Sequence, residues 1–257
     1  MTVQSEVIDR VTVVTIARPE VRNAVDGATA SALAKAFADF DGDPGSDVAI
    51  LTGAGGHFCA GADLKAAASG EGSNALTVDG NGPMGPSRMT LGKPVIAAIS
   101  GHAVAGGLEL ALWCDLRVVD DSAVFGVYCR RWGVPLVDGG TVRLPRLIGQ
   151  SRAMDMILSG RSVAAREAIE IGLANRFVEE GSVLDAAMEL ARELTRFPQN
   201  CMRSDRLSAH RQWDLPLSEA LANEFARGLE VIESGETVAG ASRFAAGKGR
   251  HGQFDDI

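Results

Sequence analysis

The chain has 257 residues, 46% apolar and 23% charged, with a net charge of −8. That length and balance suit one sizeable globular unit with a buried core. They offer no basic stripe for nucleic-acid phosphates, no apolar run long enough to span a bilayer, and no signal-peptide pattern at the start. The four cysteines, Cys59, Cys114, Cys129 and Cys201, lack CxxC spacing. That points away from a zinc or thioredoxin-like site and toward a reducing, cytoplasmic setting.

Taken in chain order, "SEVIDR" and "VTVVTIA" read as a β-hairpin, which Pro19 in "RPEVRNAVD" ends. "GATASALAKAFADF" carries Leu33, Phe37 and Phe40 at helical spacing, and "DVAILTG" is a short buried strand. After "FCAGADL", residues 58–64, comes a Gly-, Ser- and Pro-rich stretch, 66–87, with the composition of a mobile surface loop. "KPVIAAISG" is a second buried strand, followed by a glycine turn into a helix, "HAVAGGLELALWCD". "LRVVDDSAVFGV" supplies two more short strands. From about residue 151 the pattern is helical. Two apolar stripes stand out there: Leu184, Ala187, Met188, Ala191 and Leu194, then Leu217, Leu221, Phe225, Leu229 and Ile232. Both read first as core-packing faces, and a face on an appended helix can also be covered by another subunit. The order of elements predicts an α/β core, 1–195, with a C-terminal helical region, 196–257.

"AGADL" and "AGGLEL" share one design: a strand ends, glycines turn the chain, and a helix begins. Helix starts expose unpaired N–H groups, and glycines let a ligand approach the main chain. Two such turns can aim one N–H each at a single oxygen, as an oxyanion hole does. Plain structural turns fit the spacing equally well. Neither turn matches GxGxxG or the Walker pattern, so nucleotide binding has no support.

The collinear set "RPEVRNA", "ILTGAGGHFCAGADL", "KPVIAAISGHAVAGGLELALWCDLRVVDDSAVFG", "LPRLIG", "SRAMDMILSGR" and "EAIEIGLANRFV" resembles the crotonase (enoyl-CoA hydratase/isomerase) superfamily. The resemblance covers residues 5 to 195 well and the C-terminal helices loosely. It implies a spiral of ββα repeats, a C-terminal helical trimerisation region, and a homotrimer or dimer of trimers. It also implies an acyl-CoA substrate, with coenzyme A as part of that substrate and no other cofactor or metal. By motif position the oxyanion donors fall on Ala60 and Gly106. Substrate-binding positions fall on Arg22, Ala24, Ala62, Asp63, Leu64 and Gly107. Asp63 also stands where an N-cap would precede "LKAAA", which gives it a structural role.

The resemblance places one catalytic glutamate at Glu109, where apolar neighbours favour a carboxyl that exchanges protons near neutral pH. The second glutamate of the family's hydratases falls on Cys129. Arg130 and Arg131 beside it would favour a thiolate; a small apolar filler is the other reading. Asp138 lies one position out of register with family members that carry an acid in this loop. It stands either as a replacement base or as the cap of the following helix. His57 is a candidate to line the pocket, and Arg22, Lys248 and Arg250 are candidates for the CoA phosphates. The expected activity is enoyl-CoA hydration or isomerisation. An acyl-CoA-binding homologue without hydratase activity, or a CoA-thioester hydrolase or decarboxylase, remains open.

Overall fold

The computed structural model describes residues 1–249. In chain order the strands and helices are β1 (Val3–Ile8), β2 (Val11–Ile16), α1 (Gly27–Gly42), β3 (Val48–Gly53), α2 (Leu64–Ser69), β4 (Val95–Ile99), β5 (His102–Val104) and α3 (Gly106–Trp113). There follow β6 (Leu116–Asp120), β7 (Val124–Gly126), a 3-10 turn over Tyr128–Trp132, α4 (Gly140–Ile148), α5 (Gln150–Ser159), β8 (Ser162–Ala164), α6 (Ala165–Glu170) and β9 (Arg176–Val178). Four helices complete the described chain: α7 (Val183–Arg196), α8 (Gln199–Arg211), α9 (Leu217–Glu233) and α10 (Glu236–Ala245). None is long and apolar enough to cross a membrane.

The opening hairpin turns at Asp9, whose φ of 56° lies in the left-handed region. It pairs Val3 with Ile16 and Ile8 with Val11. Four strands then add to the hairpin to make one six-stranded sheet in the order β1-β2-β3-β4-β6-β9, and every pair after the hairpin is parallel. A second sheet, β5-β7-β8, stands apart. The inner strands β2, β3, β4 and β6 are largely buried on both faces and read as mostly apolar runs, whereas the edge strand β1 is mostly exposed. On one face α1 seats Leu33, Phe37 and Phe40, and Phe37 meets Trp113 of α3 edge-on at 4.8 Å. The Asp26 side chain starts α1 by accepting from Thr29 N–H at 2.8 Å. On the other face Ala187, Met188 and Ala191 of α7 close over Val13, Ile50, Ile96 and Val118.

Several sequence expectations need correction. The C-terminal half is not purely helical, because β8 and β9 extend the two sheets. Three-residue strands are too short to leave a periodic signature. "HAVAGG" begins as β5 before it turns. The stretch 66–87 is exposed only in its first part, and residues 83–87 are buried. Leu184 is exposed on α7, where Val183 takes the buried place.

The second apolar stripe is not core. Leu217 is 76% exposed, Phe225 74% and Leu221 57%. Ion pairs fasten α8 to the core, Arg203 to Asp47 at 2.7 Å and Arg206 to Asp115 at 2.8 Å, while α9 packs on α8 with its stripe outward. A homotrimer or dimer of trimers needs such a face. If this stripe is the face that assembles, Phe225→Glu shifts size-exclusion elution from an assembly to the mass of one chain. Wild type and variant both eluting as single chains would show the stripe uncovered.

Candidate active site

The two glycine turns do meet. Cys59 N–H donates to the His102 carbonyl at 2.8 Å, and Val104 N–H donates back to the Cys59 carbonyl at 3.1 Å. This short ladder lays "FCAGADL" along the strand that leads into α3. The approach leaves no room for side chains. A methyl on Gly61 would lie 2.9 Å from the Gly106 nitrogen, and one on Gly107 would lie 2.0 Å from the Cys59 carbonyl oxygen. Between them Ala105 adopts φ 54° and ψ −124°, a conformation that L residues rarely take. Its N–H donates to the Gly126 carbonyl at 2.9 Å, which helps hold it there. Strain of this kind costs about 1–3 kcal/mol and persists only where the surroundings enforce it.

The fate of each N–H decides which can serve a ligand. Ala60 N–H donates to the Arg22 carbonyl at 3.0 Å, so the expected donor is already used in holding the chain together. Asp63 N–H is likewise taken, by the Val25 carbonyl at 2.9 Å. Ala62 N–H and Gly106 N–H have no partner among the described residues. Both residues line one cavity of about 950 Å³, together with Leu64, Met84, Glu109 and Asp138. The free donors on this wall are thus Ala62 and Gly106; Ala60, the expected donor, also lines the cavity but has its N–H already paired.

Glu109 sits in the first turn of α3 and is 2% exposed. Its Oε1 accepts from Gly140 N–H at 2.7 Å and Asp138 N–H at 2.9 Å. The other oxygen, Oε2, has no hydrogen-bond partner among the described residues. Burial pushes the carboxyl from 4.5 up to about 7; the Gly140 and Asp138 N–H bonds and the Arg143 charge oppose the rise, and the Asp138 charge adds to it. The result is one carboxyl, half ionised at neutral pH, on the wall that holds the two free N–H groups. A methyl on Gly140 would lie 3.0 Å from Glu109 Oε1, so a side chain there would crowd this grip.

Cys129 is buried in the 3-10 turn and borders the same cavity. Burial, then the nearby Glu109 charge, raise its thiol pKa. Of the two readings, thiolate or small apolar filler, the raised pKa favours a neutral thiol. Beside Cys129, Arg130 donates to the Ile157 carbonyl at 3.0 Å, away from the cavity, while Arg131 lines the cavity 4.3 Å from the Tyr128 ring centre. Asp138 does not cap α4. Gly139 holds that position, with no side-chain cap. Among the described residues no group of three or more His, Cys, Asp or Glu is placed to hold a metal ion.

The sequence profile of the enoyl-CoA hydratase/isomerase family matches residues 6–251. This chain belongs to that family, within the crotonase superfamily. It is 36% identical over 240 residues to enoyl-CoA hydratase EchA19 of Mycobacterium tuberculosis, covering 91% of this chain and 89% of that protein. It is 43% identical over 188 residues to a carnitinyl-CoA dehydratase of Salmonella arizonae, covering 71% of this chain and 70% of that one. Its fold matches the crystal structure of enoyl-CoA hydratase EchA1 from Mycobacterium marinum with a TM-score of 0.90 at 36% identity, over 95% of this chain and 96% of that one. Membership makes the chain an acyl-CoA-transforming enzyme.

Among the remaining candidates, Arg22 and Leu64 line the cavity with Ala62, whereas Ala24, Asp63 and Gly107 do not. Ala24 is buried and its carbonyl accepts from Arg18 at 2.6 Å. Asp63 caps α2 by accepting from Lys65 and Ala66 N–H, and pairs with Arg18 at 3.0 Å. Gly107 packs on Cys59. His57 faces a separate crevice of about 370 Å³; its neighbour His102 borders both spaces. Burial, then His57 and Arg22, lower the His102 pKa. Lys248 is outside the cavity wall, and Arg250 lies outside the described residues. Sequence reasoning missed Met84, Ser87, His102 and Arg143, which only the folded chain brings to this region.

The raised carboxyl of Glu109 carries a stability cost with a definite sign. Its folded pKa lies above its unfolded one, so its favourable contribution is complete below about 4.5 and lost as pH rises through about 7. Glu109→Gln keeps an acceptor oxygen and cannot ionise. It is expected to be up to about 3 kcal/mol more stable than wild type at pH 8, with the difference vanishing near pH 4, by urea denaturation. Equal stability at both pH values would contradict the buried, high-pKa carboxyl.

Proposed function

We propose that this enzyme hydrates an enoyl-CoA thioester, with Ala62 and Gly106 N–H as the oxyanion hole and Glu109 as the acid/base. The observation that carries the reading is the free Glu109 Oε2, on a carboxyl with a pKa of about 7, beside two unpartnered N–H groups on one cavity wall. As water adds to the β-carbon, the Glu109 carboxylate takes its proton. The double-bond electrons move toward the thioester, whose oxygen gains charge between the two donors. Glu109 then returns the proton to the α-carbon, which restores the carboxylate. Donors aimed at developing charge contribute about 3–4 kcal/mol each to lowering such a barrier. The account needs a single ionising group, which accommodates the neutral thiol of Cys129.

Cys129 also favours a second reading, double-bond isomerisation. There Glu109 removes a proton from the α-carbon of a 3-enoyl-CoA and delivers it to the γ-carbon. No water is consumed and the same enolate is formed.

Both readings are separated by turnover in D₂O. Hydration of short and medium trans-2-enoyl-CoAs yields a 3-hydroxyacyl-CoA with one deuterium at the α-carbon. Isomerisation converts 3-enoyl to 2-enoyl-CoA with no hydroxyl gained. Glu109→Gln is expected to lower kcat by about 10²–10⁴-fold. Because the first step needs the carboxylate, kcat/KM for hydration should rise with pH, reach half its plateau near 7, and level off above. No turnover of any enoyl-CoA, with binding intact, would leave an acyl-CoA-binding protein and contradict both readings.

A further inference from the structure

Asp138 is joined to both halves of the site. Its Oδ1 accepts from the Ser87 hydroxyl and from Met84 N–H, the latter at 2.9 Å. Its N–H donates to Glu109 Oε1 at 2.9 Å, and its carbonyl accepts from Arg143 Nη1 at 2.8 Å. Arg143 Nη2 closes the ring on the Ser87 carbonyl at 2.7 Å. Met84 in turn packs against the oxyanion turn, since a methyl on Gly106 would lie 2.8 Å from the Met84 sulfur. Met84, Ser87 and Asp138 are all buried. The segment that carries Met84 and Ser87 belongs to a stretch, 70–94, without helix or strand. It has no sheet ladder to locate it, so bonds to a charged acceptor fix its place.

We propose that Asp138 is a positioning residue: it sets Glu109 against the Gly106 donor by tying segment 84–87 to segment 138–140, and it carries no proton to or from substrate. The proposal rests on the reading of Glu109 as acid/base. Two donors on one carboxylate oxygen fix the side chain in one rotamer, as a strut requires. The same placement has an electrostatic consequence. The titratable and charged groups that act on Glu109 are Asp138 and Arg143 from the α4 side and Cys129 from the 3-10 turn. Asp138 favours the protonated carboxyl, Arg143 favours the ionised one, and burial keeps Cys129 neutral.

Two variants separate a strut from a second acid/base. Asp138→Asn keeps an acceptor oxygen for Met84 and Ser87 and removes the charge, whereas Asp138→Ala removes both. The strut predicts that Asp138→Asn keeps kcat within about tenfold and moves the pH–rate midpoint below the wild-type value. Asp138→Ala then falls by about 100-fold, the cost of misplacing reacting groups by about 1 Å. A proton-carrying Asp138 predicts that both variants fall alike, by about 10²–10⁴-fold, which would overturn the proposal. If Asp138→Ala fails to fold, Asp138→Asn decides alone: an acid-shifted profile with kcat nearly kept supports the strut, and a loss of 100-fold or more with native circular dichroism overturns it. Glu109→Gln in the same assays separates the two claims. An inactive Glu109→Gln with an equally inactive Asp138→Asn refutes only the strut, while an active Glu109→Gln refutes the reading of Glu109 and the strut with it.

Discussion

Gly61 and Gly107 lie where two turns of main chain press together, with no space for a methyl group on either. This backbone-on-backbone approach is what the rest of the site depends on. It places Ala62 and Gly106 on one wall, and it accounts for a motif almost without reactive side chains. On the proposed reading the working groups are amides, and small residues are what let them be reached. Ala105 extends the same constraint, since its rare conformation persists beneath a hydrogen bond from its own N–H to Gly126.

Glu109 shows how opposing terms are balanced. Burial alone would drive the carboxyl to permanent protonation, and full hydrogen bonding would leave it permanently ionised. Here one oxygen takes two N–H bonds from the turn before α4 and the other is left unpartnered among the described residues, as the proposed acid/base requires. The compromise falls near pH 7, which suits a group that must take up and release the same proton. The fold bears a stability cost for this choice, in line with strain and burial gathered at a functional site.

Much of this was legible in the sequence. The hairpin, α1, β3, β4 and α3 follow from apolar runs with clear periodicity, and the two glycine turns from composition alone. The family was legible as well, because its motifs are collinear over most of the chain. The choice between Ala60 and Ala62 was not. It turns on whether an N–H is already paired, and the acceptor that pairs with Ala60 is Arg22, far away in sequence. Asp138 was equally opaque, because its partners Met84 and Ser87 sit in a stretch whose composition reads as surface loop. The α9 stripe has the periodicity of a core face, and periodicity does not distinguish a core from a surface awaiting another chain.

The central claim is that the Ala62 and Gly106 amides, and not Ala60, hold the thioester oxygen. Replacing single residues by their α-hydroxy acids turns one N–H into an ester oxygen and leaves every side chain in place. The measurement is kcat on an enoyl-CoA for the ester at position 62, beside the infrared stretch of the bound thioester carbonyl. The account predicts a loss of about 10²–10³-fold, with the carbonyl band moving back toward its value in free solution. An ester at position 62 with wild-type kcat and an unshifted band would contradict it.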